Sequence, residues 1–202
     1  MKGQAMTIDY NDPTINLLTR QSLPTSLAAS LNPNPAWAGW RSVKQNQPPI
    51  EMWLQMHKGF LATIDQIDAV TLGLQDAEES DLADLIRESN LLSGSQNLIL
   101  QLEQHHAMED QVYFPKFVTL LPRLKAPMEM LDQDHIELEH IMQEINASLD
   151  CLTTIKPARR DIAKLHQQAR QLRHCLKMHI ENEEDIIMPD LMEIGIERLL
   201  TD

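Results

Sequence analysis

Beyond residue 50, apolar residues recur at intervals of three and four, which is the spacing of one face of an α-helix. Prolines fall between the later runs, at Pro122, Pro127 and Pro157, and a proline ends a helix because it removes a backbone donor and clashes with the preceding turn. The pattern therefore predicts four long helices, with a short helix capped by Ser80 or Asp81 between the first two. The four runs cover about residues 50–70, 93–121, 127–155 and 158–192.

The first predicted helix has an apolar face that includes the only histidine of this run. His57 follows Met56 directly, which places it on the edge of the face. A single histidine at such an edge is usually packed or solvated, so His57 alone indicates no function. The apolar positions are Met52, Trp53, Met56, Phe60, Ile64 and Ile67.

The first 49 residues have a different composition from the rest of the chain. They contain six of the eleven prolines, few charges and two tryptophans, so no long helix is expected. The segment is either a loose tail or a strap, because Trp37 and Trp40 are costly to leave in water. If the segment is a strap, it packs on the bundle of its own chain or on a second subunit. Packing on a second subunit predicts a homodimer. We expect residues 1–49 to form this extension and residues 50–202 to form the bundle.

Two similar motifs lie in the second and fourth predicted helices. HHAMEDQVYFP (residues 105–115) and HIENEEDIIMP (residues 179–189) each have His, Glu four residues later, an acid at the fifth position and Pro at the tenth. Four residues make about one helical turn, so His105 shares a face with Glu109, and His179 shares a face with Glu183. One such pair is usually a solvated helix face, whereas two copies indicate a duplicated site.

The helix before each motif also carries a histidine, in the pattern Gln-x-His. His57 precedes His105 by 48 residues and His135 precedes His179 by 44, so the repeat unit is a pair of helices. In antiparallel neighbours, residues equidistant from the turn lie at the same height, and the midpoint between His135 and His179 is Pro157. The sequence therefore predicts that four helices bring imidazoles and carboxylates to one level of the core.

This set of side chains suggests two metal ions. Imidazole and carboxylate suit iron, manganese or zinc, and six ligands are too many for one tetrahedral zinc. With two histidines per metal and both carboxylates bridging, each metal has four protein ligands; a bridging oxygen makes five and leaves one position open. This is the layout of a non-haem di-iron centre that takes a small ligand. The predicted metal ligands are His57, His105, Glu109, His135, His179 and Glu183.

Charge narrows the range of partners. A formal net charge of -13 repels phosphate backbones and anionic lipid, so we expect neither nucleic acid nor membrane as a partner. No apolar run approaches the ~20 residues of a membrane span, and the first residues lack the apolar core of a signal peptide. The expected location is the cytoplasm.

The motifs resemble the HxxxEExxLFP signature of the hemerythrin-like family, also called the HHE cation-binding family, over about residues 50–192. The resemblance implies an all-α fold, an up-down-up-down four-helix bundle, with two iron ions bridged by an oxo or hydroxo group and bound by the six residues named above. Oxygen-carrying members have a fifth histidine where this chain has Glu139, and an Asp at the fifth position of the last motif where this chain uses Glu183 at the fourth.

These departures make the chain more similar to bacterial members linked to iron-sulfur cluster repair, NO or peroxide responses, or iron sensing. We expect a protein that handles O2, NO, peroxide or iron in a stress or sensing role. The alternatives are an iron donor or store for cluster repair, a reversible O2 carrier, and a bundle with only a structural or partner-binding role. No catalytic residue is predicted.

Residues near the predicted ligands have alternative roles. Glu139, one turn from His135, is an extra ligand, a support for a ligand or a surface residue. Tyr113 either hydrogen-bonds near the metals or packs in the core. His106 and His140 are rotated by about 100° and 140° from the ligand face, so we expect them to be structural or solvated.

A ferritin-like site is a rival interpretation of the same helices. Its ExxH pairs occur here as Glu103 with His106 and Glu137 with His140. These pairs fall on consecutive helices, not on the second and fourth, and no repeat supports them. The duplicated HxxxE motif is therefore the stronger indication.

Overall fold

The computed structural model describes residues 8–43, 47–153 and 157–200, and within these residues all regular structure is helical. The long helices pack together, which confirms the all-α prediction. A π-helical turn, Glu109–Tyr113, joins α3 to α4, so the second predicted run is one helical segment. The α-helices are α1 Pro48–Gln75, α2 Leu82–Glu88, α3 Leu91–Met108, α4 Phe114–Leu120, α5 Lys125–Leu152, α6 Arg159–Ile194 and α7 Glu197–Leu200.

The buried face of α1 agrees with the predicted one at Trp53, Phe60, Ile64 and Ile67 and differs at two methionines. Met52 is 69% exposed and Met56 is 38% exposed, whereas Trp53 is buried. The buried stripe runs through Trp53, His57 and Phe60 at spacings of four and three. His57 consequently lies inside the buried face and not on its edge.

The described chain divides into two compact units by its contacts. The first comprises Met1–His57, His106–Ile136 and Met178–Asp202, and the second comprises Lys58–His105 and Glu137–Lys177. Each of the helices α1, α3, α5 and α6 therefore contributes one segment to each unit. The up-down-up-down order of the helices stays a prediction.

The first unit has an apolar core that includes part of the N-terminal segment. Phe117, on α4, is fully buried there, and Ile15, Leu27 and Trp40 pack into the same cluster. Burial of an aliphatic or aromatic side chain of this size contributes about 1.5–3 kcal/mol. The described N-terminal residues contain short 3-10 helices and, as expected, no α-helix before α1. These helices are Thr25–Ser30, Pro35–Trp37 and Trp40–Ser42.

The second unit is built from the remaining segments of the long helices and α2. Its α5 segment buries side chains at helical spacing, and α2 begins at Leu82 after Asp81, close to the predicted cap. His166 Nδ1 lies 3.1 Å from the Thr71 hydroxyl oxygen, so this ring nitrogen has a hydrogen-bond partner. The buried residues of this α5 segment are Leu138, Ile141, Met142, Ile145, Ser148, Leu149 and Leu152. Over the ranges 8–43, 47–153 and 157–200, none of the helices combines the length and apolar character of a membrane span.

Candidate metal centre

The first motif contains a local irregularity at its glutamate. Glu109 is the first residue of the π-helical turn, and its carbonyl oxygen accepts a hydrogen bond from the Phe114 backbone N–H, five residues later. Single π-turns within α-helices are frequent at functional sites. Glu109 is fully buried, whereas Asp110 is half-buried. The turn thus places Glu109 in the interior and Asp110 at the edge of the interior.

Ring nitrogens and carboxylate oxygens converge in the first unit. His57 Nε2 and His179 Nε2 each lie 3.6 Å from Glu183 Oε2. His135 Nε2 lies 3.5 Å from Glu109 Oε2 and 3.2 Å from His179 Nε2. All five residues are at most 5% exposed. The structure therefore brings five of the six predicted residues together within one unit.

These side chains form two groups that could hold metal ions. In one group, His106, His135 and His179 each offer a ring nitrogen, and these atoms lie within 4.8 Å of one another. In the other, His57, Glu109 and Glu183 offer ligand atoms that also lie within 4.8 Å of one another. The 3.5 Å and 3.6 Å contacts of Glu109 and Glu183 reach histidines of the first group. The two carboxylates are thus shared between the groups.

His105, the sixth predicted residue, is the last residue of its segment in the second unit. It stands four residues before Glu109 on the same run of helix, so its side chain projects from nearly the same side of that helix as Glu109. Its ring packs against Phe60, with ring centroids 5.2 Å apart, and is 9% exposed. The side chain is therefore shielded from solvent.

Each histidine that faces a carboxylate with Nε2 also has a second acid behind Nδ1. A carboxylate only accepts hydrogen bonds, so Nδ1 carries the proton and Nε2 directs its lone pair inward. This tautomer is the one that binds a metal through Nε2, and the acid behind the ring fixes its orientation. The contacts are His57 Nδ1 to Glu184 Oε1 at 3.1 Å, His135 Nδ1 to Asp110 Oδ1 at 2.7 Å and His179 Nδ1 to Asp134 Oδ2 at 3.3 Å.

Two of the acids that lie behind a histidine ring contact a histidine of the other repeat. Asp110, at the fifth position of the first motif, contacts His135, which belongs to the second helix pair. Glu184, at the fifth position of the second motif, contacts His57, which belongs to the first helix pair. The acid at the fifth position therefore has a defined task, which is to orient an imidazole of the other repeat.

The electrostatics of the cluster favour a bound cation. Burial raises the pKa of Glu109, and the neighbouring carboxylate of Glu183 raises it further. Burial also lowers the pKa of His179, although its hydrogen bond to Asp134 acts in the opposite direction. His135 Nε2 and His179 Nε2 lie 3.2 Å apart, so with the proton of each ring on Nδ1 their lone pairs would face each other and repel unless a proton or a metal ion lies between them. Buried donors of this kind are costly without a cation, so the donor set fits metal ions.

Aromatic side chains enclose the cluster. The Trp53 indole N–H lies 3.0 Å from Glu183 Oε1 and 3.1 Å from His57 Nε2. Phe114 stacks on His135, with ring centroids 5.5 Å apart. Tyr113 is half-buried and packs against Trp53, with ring centroids 5.1 Å apart. Of the two interpretations of Tyr113, the structure shows the packing contact.

His106 is the residue that the sequence reasoning missed. It was expected to be structural or solvated and to lie off the ligand face; the ring is in fact buried, stacks on His135 at 4.1 Å between centroids and belongs to the three-histidine group. Neighbouring helix positions differ by about 100°, and a core-facing stripe is at least that wide, so both residues of a His-His pair can face inward. The doublet His105-His106 was the available signal.

Other candidates lie at the surface. Glu139 is exposed and accepts a hydrogen bond from Gln143 at 3.0 Å. Glu103 and His140, one member of each ferritin-like pair, are both exposed, which contradicts the rival arrangement. His140 therefore agrees with its prediction as a solvated residue.

Comparison with known families identifies a match that covers both motifs. A family model described as the hemerythrin HHE cation binding domain matches residues 48–191, which span both motifs and the helix before each of them. No match was found among curated proteins or among solved structures. The matched range is well over half of the chain.

Proposed function

The chain belongs to the hemerythrin HHE cation-binding domain family, and we propose that it binds two iron ions in its interior and handles a small ligand, O2, NO or peroxide, there. The observation that carries this proposal is the pair of donor groups that share Glu109 and Glu183. Seven donors exceed the needs of one tetrahedral ion. The proposed ligands are His57, His105, Glu109, His135, His179 and Glu183, with His106 as a seventh.

Iron held by these residues would supply reversible binding or reduction of small oxidants. The chain itself supplies orientation and shielding. Asp110 and Glu184 hold the rings of His135 and His57 with Nε2 inward. The Trp53 N–H donates to one oxygen of Glu183 and so restricts the rotation of that carboxylate. These contacts organise the donors before any ion binds, which lowers the entropic cost of binding.

Burial supports a small-ligand role over an iron-donor role. The proposed ligands are 9% exposed or less, and aromatic rings cover several of them. Only a small molecule reaches such a site without local opening, whereas delivery of iron to another protein requires an exit. His106 also raises the number of imidazoles to five, the number that the resemblance associates with oxygen carriers, although Glu139 replaces their usual fifth histidine. Binding of O2 is therefore kept within the proposal.

The experiment is anaerobic loading with ferrous iron, followed by metal analysis and by absorption spectra after addition of O2, NO or H2O2. We expect two iron ions per chain and new charge-transfer bands. His105→Ala and His179→Ala should each lose most of the iron, whereas His174→Ala, exposed on α6, should match the parent. Equal iron content in His179→Ala and the parent refutes the ligand assignment. Rapid loss of iron to a chelator without new bands supports the donor role, and absence of uptake refutes both.

A further inference from the structure

Arg20 in the N-terminal segment is a buried charge. Its side chain is nearly inaccessible, with the residue 2% exposed, and each of its nitrogens has an acceptor. Nε donates to Asn182 Oδ1 at 2.9 Å, and Nη1 donates to the Ile15 carbonyl oxygen at 2.8 Å. Nη1 and Nη2 also donate to the two oxygens of Asp134, the first at 2.7 Å. This bidentate arrangement is the strong form of an arginine-carboxylate contact.

Asp134 connects this arginine to the metal centre. It is fully buried, and Oδ2, which accepts from Arg20, also lies 3.3 Å from His179 Nδ1. The Tyr10 hydroxyl donates to Oδ1 at 2.7 Å, so a second residue of the N-terminal segment holds the same carboxylate. A buried carboxylate is stable only when it is paired and hydrogen-bonded. Arg20 and Tyr10 supply these partners.

The repeat shows that this contact is an addition to the duplicated site. Asp134 precedes His135 in the sequence Gln-Asp-His, and the equivalent position before His57 is Met56. The first helix pair therefore has no counterpart of Asp134. The acids at the fifth positions of the motifs serve His57 and His135, which leaves His179 dependent on Asp134. The N-terminal segment thus stabilises a supporting acid that lies outside the repeated motifs.

We propose that Arg20 is a positioning residue of the metal centre, acting through Asp134 on the orientation of the His179 ring. This inference rests on the proposed function, since His179 is one of the proposed ligands. Without the guanidinium, the Asp134 carboxylate loses its charge partner and two hydrogen bonds, and its direction relative to His179 Nδ1 is no longer fixed. Changes in such outer contacts typically alter metal affinity by about 10–100-fold. The N-terminal segment is then part of the site and not only its cover.

A second arginine of the segment provides a graded comparison. Arg41 Nη1 donates to Glu184 Oε2 at 2.7 Å, and Glu184 Oε1 lies 3.1 Å from His57 Nδ1. Here too an arginine contacts the acid behind a histidine ring, but Arg41 makes a single contact with Glu184 and its side chain is 46% exposed, so water replaces it more readily. We expect Arg41→Met to have a smaller effect than Arg20→Met.

The test compares full-length protein loaded anaerobically with ferrous iron. Arg20→Met and Asp134→Asn should each lose iron to a chelator about 10–100-fold faster than the parent, and the double variant should be no worse than the worse single variant. Mössbauer spectra should change for one of the two iron environments, because Asp134 contacts His179 and neither His57 nor Glu109. Arg87→Met is the control, since Arg87 is exposed on α2 and pairs with Asp84.

The outcomes separate the two proposals. A folded Arg20→Met variant with the iron retention and spectrum of the parent overturns the positioning role, as does a double variant whose effects multiply. If Arg20→Met does not fold, Arg20→Lys keeps the charge but loses the bidentate contact, and unchanged retention and spectra in that variant overturn the role equally. Failure of the parent to take up iron refutes the proposed function itself, and the positioning role with it.

Discussion

Glu109→Gln should make the metal-free protein more stable while it removes the metal. Glu109 is fully buried and close to Glu183, so its negative charge is costly unless a cation compensates it. Glutamine has nearly the same volume and carries no charge. Replacement of a buried ion pair by well-packed apolar groups is neutral or gains about 1–4 kcal/mol, and we expect a gain within this range for the loss of one buried charge, at about 2–4 °C in Tm per kcal/mol for a chain of this size. Iron content should fall in the same variant, since an amide oxygen is a weaker ligand.

The pH dependence of this gain has a defined sign. The folded-state pKa of Glu109 lies above that of the unfolded chain, because of burial and then of Glu183. Between these two pKa values the folded protein binds more protons, so the parent loses stability as pH rises through the folded-state value. Below about pH 4 the Glu109 carboxyl is protonated in both the folded and the unfolded protein, so its contribution to the free energy of unfolding is fully present. The advantage of Glu109→Gln should therefore be absent at low pH and grow towards neutral pH.

The assay is urea unfolding of chelator-treated protein, followed by circular dichroism over a series of pH values. Glu139→Gln is the matched control, because Glu139 is an exposed carboxylate on α5 and its removal should change the free energy of unfolding by less than about 0.5 kcal/mol. A Glu109→Gln variant that unfolds at lower urea concentration than the parent at neutral pH refutes the reasoning. The buried carboxylate would then be stabilised by the protein alone, without need of a cation.

Two further predictions concern His106 and the apolar core. His106→Ala should lower the iron content or change the spectrum of one iron environment, whereas His140→Ala, exposed on α5, should leave both as in the parent; identical metal analyses for the two variants exclude His106 as a ligand. Phe117→Ala removes a fully buried ring and should cost about 3–5 kcal/mol in urea unfolding of the metal-free protein. Leu120→Ala, 41% exposed on the same helix, should cost less than about 1 kcal/mol, and equal losses in these two variants would contradict the described core.

Local periodicity explains how much of the fold was predictable. Helical spacing depends on the sequence of each segment alone, so the predicted starts near residues 127 and 158 lie close to the observed starts of α5 at Lys125 and α6 at Arg159. The predicted end of the first helix fell short of Gln75 because no proline or glycine cap marks that end. Met56 was assigned to the buried face because it is apolar, whereas the structure buries its neighbour His57 and leaves Met56 38% exposed.

The sequence predicts only some of the contacts at the metal centre, and the reason differs from that for the helices. His105 with Glu109, and His179 with Glu183, are related by one helical turn, so the sequence contains their relation. Contacts between distant residues have no such signal: Asp110 and His135 are 25 residues apart, and Arg20 and Asp134 are 114 apart. The prediction also assumed that each helix directs its ligands from one narrow face. Adjacent positions of a helix can both face the core, so this assumption was too narrow.

The exchange of acids between the two helix pairs makes the halves of the duplication interdependent. A fragment with only the first pair would contain His57 but not Glu184, and a fragment with only the second would contain His135 but not Asp110. Two copies of either fragment, placed side by side about a twofold axis, would each supply what the other lacks. Loss of the acid from one half would leave an imidazole of the other half without its supporting contact. Changes in the two halves are therefore coupled.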